Sequence, residues 1–216
     1  VTISPNCTVN PIQLHGVTGT GANFECVQGR GLWDGPTNAS YRAALKMWNI
    51  NAVRVTLNED CLLGINGVKK KYSGELYLQA LKSYLHEMVA DGFYILITLH
   101  WSAPGTHVAT GQSPMPDQDH SLQFWKILAQ EFGKFEQIIF DVFNEPFPGD
   151  NTHDSQQAWE CWKFGGNSCP DIAKSPLIPY QAVGFDELVA TIRGENATNV
   201  LILGGINYSN SLTRFV

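Results

Sequence analysis

Five short apolar runs rich in β-branched residues, at 13–16, 52–57, 94–99, 138–143 and 200–203, constrain this 216-residue chain more than any other feature. They are near-continuous rather than alternating, the pattern of strands buried on both faces of a parallel sheet. Helical stripes lie between them. Leu78, Leu81, Leu85 and Met88 form one, and Leu122, Trp125, Leu128 and Phe132 another. A third runs through Phe185, Leu188, Val189 and Ile192 to Gly194, which is suited to a C′ position, and a shorter first helix is expected over 41–48. Strand then helix, repeated, is the α/β signature.

The links are lopsided. Helix-to-strand connections (49–51, 91–93) are short, whereas strand-to-helix connections (18–38, 58–73, 100–119, 144–183) are long. A (β/α)8 TIM-type barrel elaborates that end because its active site is built from the loops after the strands. An open doubly wound sheet is the alternative. Strand starts lie roughly forty to sixty residues apart, so eight units would need somewhat over 300 residues. The expectation is therefore one barrel-type domain over 1–216, with about five βα units and truncated after its fifth strand. Two apolar parallel edges are seldom left uncovered, so a missing barrel segment from the same or another chain is expected to complete it.

A formal charge of −6 leaves no basic footprint for nucleic acid or an anionic membrane. The longest apolar stretch, near 92–99, is far too short to span a bilayer. Five cysteines form no C-x-x-C pair. Low lysine content, many Trp and Tyr, and four N-x-S/T sequons (Asn6, Asn38, Asn196, Asn207) suit a secreted hydrolase, although no signal peptide is visible. Under oxidising conditions Cys161 with Cys169 is the first choice for a bridge and Cys26 with Cys61 the second, leaving Cys7 unpaired.

The sharpest chemical signal is Phe143-Asn144-Glu145-Pro146, where a buried strand ends in an amide and a carboxyl and Pro146 halts pairing. A strand-end Glu is by base rate a solvated loop acid, but other residues bear on it. Arg54 sits inside the run Ala52-Val53-Arg54-Val55-Thr56-Leu57, where a guanidinium needs a carboxylate or several acceptors unless it snorkels outward. His100-Trp101 closes the third run in the same manner. A barrel makes the ends of consecutive strands converge, so the three belong together. Trp48 and Trp125 lie on helix stripes and read as core. Trp33, Trp101, Trp159 and Trp162 fall in the long loops, as sugar-stacking platforms or as loop anchors, with anchoring expected for about half.

Other motifs fail. The G-x-G spacing after Gly16 has Phe24 at the third glycine position, and His86-Glu87 lacks the second His of a zinc helix. There is no G-x-S-x-G elbow, no P-loop and no strand-end Lys. A metal at His100 and His107 lacks a third ligand, and no cofactor is expected.

In order along the chain, Leu14-His15-Gly16-Val17, Phe24-Glu25, Gly31-Leu32-Trp33, Asn51-Ala52-Val53-Arg54-Val55, Ile97-Thr98-Leu99-His100-Trp101 and Phe143-Asn144-Glu145-Pro146 resemble glycoside hydrolase family five endoglucanases of clan A. The resemblance implies retaining hydrolysis of β-1,4-glucan, with Glu145 as acid and then base. It implies that Asn144 holds the sugar 2-hydroxyl, Arg54 binds and acidifies the nucleophile, and His100 orients sugar hydroxyls. Trp101 and Trp33 would stack on sugar, and Asn207, after strand five, is a looser cleft candidate. The family nucleophile is a second Glu on strand seven, which this chain does not contain. Glu25 and Asp141 are the nearby acids, and neither is nominated in its place. The other expectations are a non-catalytic glycan-binding remnant, or a mannanase or xylanase of the same clan.

Overall fold

The structure, a computed structural model, describes residues 11–19, 21–149, 154–169, 172 and 179–215. Five parallel strands lie in sequence order: β1 (Gly16–Gly19), β2 (Ala52–Asn58), β3 (Tyr94–Trp101), β4 (Ile138–Asp141) and β5 (Leu201–Ile202). Helices cover one face between them: α1 (Ala39–Met47), α2 (Glu59–Leu63), α3 (Glu75–Ala90), α4 (Ser121–Phe132), α5 (Gln156–Phe164) and α6 (Phe185–Gly194). Consecutive parallel strands joined by helical crossovers, with no reversal of order, make a partial (β/α) barrel rather than a doubly wound sheet.

Local chemistry starts these helices. The side chain of Asn38 accepts the Tyr41 N–H ahead of α1, Asn58 accepts those of Asp60 and Cys61 ahead of α2, and Ser155 accepts that of Ala158 ahead of α5. The three apolar stripes then pack on the sheet. Val53, Val55 and Leu57, Ile95, Ile97 and Leu99, and Ile138 and Phe140 are the fully buried strand residues that meet them. The alternate set, Arg54, Thr56 and Asn58, Thr98 and His100, and Asp141, is polar and lines the inner face. The runs that read as uniformly apolar therefore have two faces. The barrel interior towards the strand C-termini is the polar one.

Four details depart from the sequence reading. The first strand lies at Gly16–Gly19, not 13–16, because pairing with β2 begins only at Gly16 opposite Ala52. Trp48, expected in the core, caps α1 with 80% of its surface exposed, while Trp125 is fully buried. The residue with positive φ after α6 is Asn196 (58°), not Gly194, and an Asn tolerates that region. Trp159 and Trp162 lie on helix α5, not in open loop, and are buried against each other, with Trp162 stacked 4.4 Å from Phe185, so both are anchors.

Cys161–Cys169 and Cys26–Cys61 are both bridged. Cys7 lies outside the described residues. No helix among the described residues is long and apolar enough to cross a membrane.

Candidate active site

The register places Arg54 of β2 opposite Leu96 of β3, and Thr98, two residues further along β3, directly opposite Asp141. That register converges three side chains. Arg54 donates from Nε and Nη2 to Asp141 Oδ2 at 2.8 and 2.6 Å, and Thr98 Oγ1 donates to the same oxygen at 2.7 Å. Arg54 Nη2 also donates to Asn144 Oδ1 at 3.0 Å. The guanidinium is thus matched by a carboxylate of this chain, and the Asn144 amide is held with its oxygen bound and its NH2 free of that contact. Asp141, which the sequence reading set aside, is Arg54's partner. The signal was available: opposite charges inside two apolar runs of the same sheet.

Beyond Asp141 the chain leaves the ladder. The Asn144 N–H still donates to Leu99 O at 3.0 Å, and the Trp125 indole donates to Val142 O at 3.0 Å from below. Glu145 then turns into the left-handed region with φ 47°, uncommon for a residue with a Cβ and typical of strain kept at functional sites. Asn144 is buried and Glu145 exposed. The turn is braced from the loop after β3. Gln112 Nε2 donates to Glu145 O at 2.8 Å and to Asn144 O at 3.2 Å, and the Phe147 N–H donates to Pro114 O at 2.9 Å.

His100 and Trp101 owe their directions to a register shift. Leu57 pairs with Leu99 but Asn58 with Trp101, so β3 carries an extra residue at its end. Burial, and then the Arg54 charge, push the His100 imidazole down to about 4, so it is neutral near pH 6. Its buried Nδ1 has no hydrogen-bond partner among the described residues. Trp101 is half-buried with its ring 6.2 Å from Phe24. Trp33, also half-buried, packs on Tyr77 and Tyr84 of α3, at 5.3 and 6.1 Å. Asn207 is exposed in a left-handed turn after β5, next to Tyr208, whose ring stacks 4.7 Å from Phe147. That turn therefore reaches the segment carrying Glu145. A cavity of about 470 Å³ opens beside it, walled by Ser102, Val108, Gln112, Phe147 and Tyr180 among others.

Sequence reasoning also missed a buried acid pair. Glu59 and Asp117 are fully buried, and one hydroxyl, Ser121 Oγ, lies 3.0 Å from Glu59 Oε2 and 3.2 Å from Asp117 Oδ2. Glu59 also accepts the Ala103 N–H at 2.7 Å. A hydroxyl has one proton for two acid oxygens, so the pair needs another. Burial, and then the facing Asp117 charge, raise Glu59 well above the usual carboxyl range, and burial raises Asp117 as well. The work of Glu59 is to pin the loop that carries Gln112.

Against known proteins, the cellulase family model (glycosyl hydrolase family 5) matches residues 8–215. An endoglucanase, MaCel5A of Microbulbifer sp. (strain ALW1), is 29% identical over 136 residues, covering 63% of this chain and 23% of that protein. An endo-β-1,4-glucanase from Xanthomonas axonopodis pv. citri superposes with TM-score 0.60 at 19% identity, over 92% of this chain and 54% of that one. An endocellulase from Pyrococcus horikoshii, in complex with cellotetraose, gives 0.59 at 19%, over 91% and 52%. The chain thus spans about half the length of these solved structures and less than a quarter of the curated relative. At such identities the structural likeness carries the fold.

Proposed function

The chain belongs to glycosyl hydrolase family 5, the cellulase family, and from that membership we propose that it is the N-terminal part of a retaining endo-β-1,4-glucanase barrel. The observation that carries the reading is the exposed Glu145 on its turn, one residue past an Asn144 already held by the Arg54–Asp141 pair. Glu145 protonates the glycosidic oxygen as the C–O bond breaks, and later takes a proton from the water that attacks the glycosyl-enzyme. The Asn144 amide donates to the sugar 2-hydroxyl. His100, neutral because burial and Arg54 hold it near 4, offers the ring nitrogen that is not buried, Nε2, to a sugar hydroxyl. Trp101 offers an indole face, and Asn207 with Tyr208 borders the cleft.

Retention needs a second carboxylate about 5–5.5 Å from the first. Asp141 is committed to Arg54 and Thr98, so the nucleophile belongs to the part of the barrel beyond these five units. Arg54 is the cation in place to meet it. Exposed apolar side chains on and beside the two end strands support such completion: Leu14 and Val17 at β1, Val200 and Ile202 at β5. Two disulfides favour an oxidising, extracellular setting.

The test is Glu145→Gln in the complete enzyme. Turnover of soluble cellulose derivatives is expected to fall by about 10²–10⁴-fold while cello-oligosaccharide binding, read by tryptophan fluorescence, persists. Full activity in the variant overturns the assignment.

A further inference from the structure

We propose that Gln112 is a positioning residue for Glu145, aiming the acid through its backbone; this rests on the reading of Glu145 given above. The Glu145 side chain is exposed, so no packing fixes where its carboxyl points. Its direction is set by the turn, and the turn is held at φ 47°, a conformation a Glu does not favour by itself. The Gln112 carboxamide donates to both carbonyls that flank the strained residue's N-terminal side and its own exit, 3.2 Å to Asn144 O and 2.8 Å to Glu145 O.

The contact is part of a seam. Ser113 Oγ donates to Ser102 O at 2.6 Å, and Pro114 O accepts the Phe147 N–H at 2.9 Å, so residues 112–114 run alongside 144–147. The loop that bears the seam is itself pinned from below. Asp60 accepts the Ala109 N–H at 2.7 Å, and Glu59 accepts that of Ala103 at 2.7 Å. A carboxyl carbon lies roughly 3.7 Å from its own Cα, so a rotation of the turn by about 15° displaces it about 1 Å, an error that can cost on the order of 10²-fold when a proton must be delivered in line. Gln112 touches no reacting atom and acts only through this lever.

A positioning role has a signature that a general loss of structure does not. Cleavage of a cello-oligosaccharide sends the electron pair to a sugar oxygen that must receive Glu145's proton. A 2,4-dinitrophenyl β-cellobioside departs as a stable phenolate and needs none. In the complete enzyme, Gln112→Met removes both donors at similar length. It is expected to lower kcat/KM for cellopentaose at least tenfold more than for the aryl cellobioside. A second variant, Gln112→Glu, carries a carboxyl that donates when protonated and repels the two carbonyls when ionised. Its cellopentaose activity, relative to the parent enzyme, is expected to recover as pH falls.

Parallel loss on both substrates in Gln112→Met, or no loss, overturns the proposal, as does a pH profile of Gln112→Glu that simply parallels the parent's. Thermal melting of both variants identifies any that fail to fold; if Gln112→Met does, the pH profile of Gln112→Glu decides. Glu145→Gln run alongside separates the two readings. If that variant keeps full activity on cellopentaose, the assignment of the acid has failed. If it loses activity and the Gln112 variants behave like the parent, only the positioning inference has failed.

Discussion

The middle of the sheet and its two ends are built from the same kinds of residue and have different fates. Strand β2 pairs with β3 through seven partners, and six of its seven residues are buried. Strand β1 makes four pairs and leaves three of its four residues exposed, and β5 makes only two. Valines occur in both places. Val53 and Val55 are buried and Val17 is 37% exposed. The difference lies in what stands on the far side. Between β2 and β4 every strand has a neighbour on each side and helices above, whereas among the described residues β1 and β5 each pair on one side alone. Hydrophobic character alone does not confer burial.

The largest effect separating the two regions is expected from truncating one apolar strand residue in each. Phe140→Ala on β4 opens a cavity in a site with no exposed surface and should cost about 3–5 kcal/mol, measured by urea unfolding. Val17→Ala at the open edge should cost less than about 0.5 kcal/mol in this chain, since little is buried there to lose. In the complete barrel the second value should rise towards that of a core valine. A cost for Val17→Ala that is already large in the isolated chain would break the comparison.

The disulfides come next. Cys26–Cys61 ties the loop after the edge strand β1 to α2 in the middle, across a separation of 35 residues, and Cys161–Cys169 closes only 8. Loop-closure entropy gives about 4 kcal/mol for the first and about 2.5 kcal/mol for the second. Replacing each pair by Ala should therefore lower the unfolding midpoint more for Cys26–Cys61. Amide exchange should rise in β1 for that pair and stay unchanged in β2.

The smallest effect probes the centre alone. Folding holds Glu59 above its ordinary value of 4.5, through burial and then Asp117. The protonated form's contribution is therefore fully present below the unfolded value and is lost as pH rises through the folded one. Glu59→Gln keeps an acceptor for the Ala103 N–H and needs no proton. The variant should match the parent near pH 4 and exceed it at pH 8. Equal pH dependence of the two melting curves would remove the acid pair from the account.

Much of this molecule was legible from local periodicity. Apolar runs of strand length, stripes at helical spacing and long loops on one side only determined a βα repeat with its elaborated end at the strand C-termini. Phe143-Asn144-Glu145-Pro146 placed a carboxyl at that end, because a strand must stop where a proline removes its donor. These readings need only residues close in the chain. Trp48 shows their reach, since a stripe indicates which side of a helix is apolar and not whether a neighbour covers it.

What tertiary structure alone decided were the pairings across sequence distance. Arg54 meets Asp141 87 residues away because parallel register sets Thr98 opposite Asp141 and the two strands flanking β3 turn the same face inward. Glu59 shares Ser121 with Asp117, and Gln112 finds the carbonyls at 144 and 145, only once loops from successive strands converge at one rim. A side chain's charge is written in the sequence. Its partner depends on strand order and register, which arise from the packing of the whole sheet.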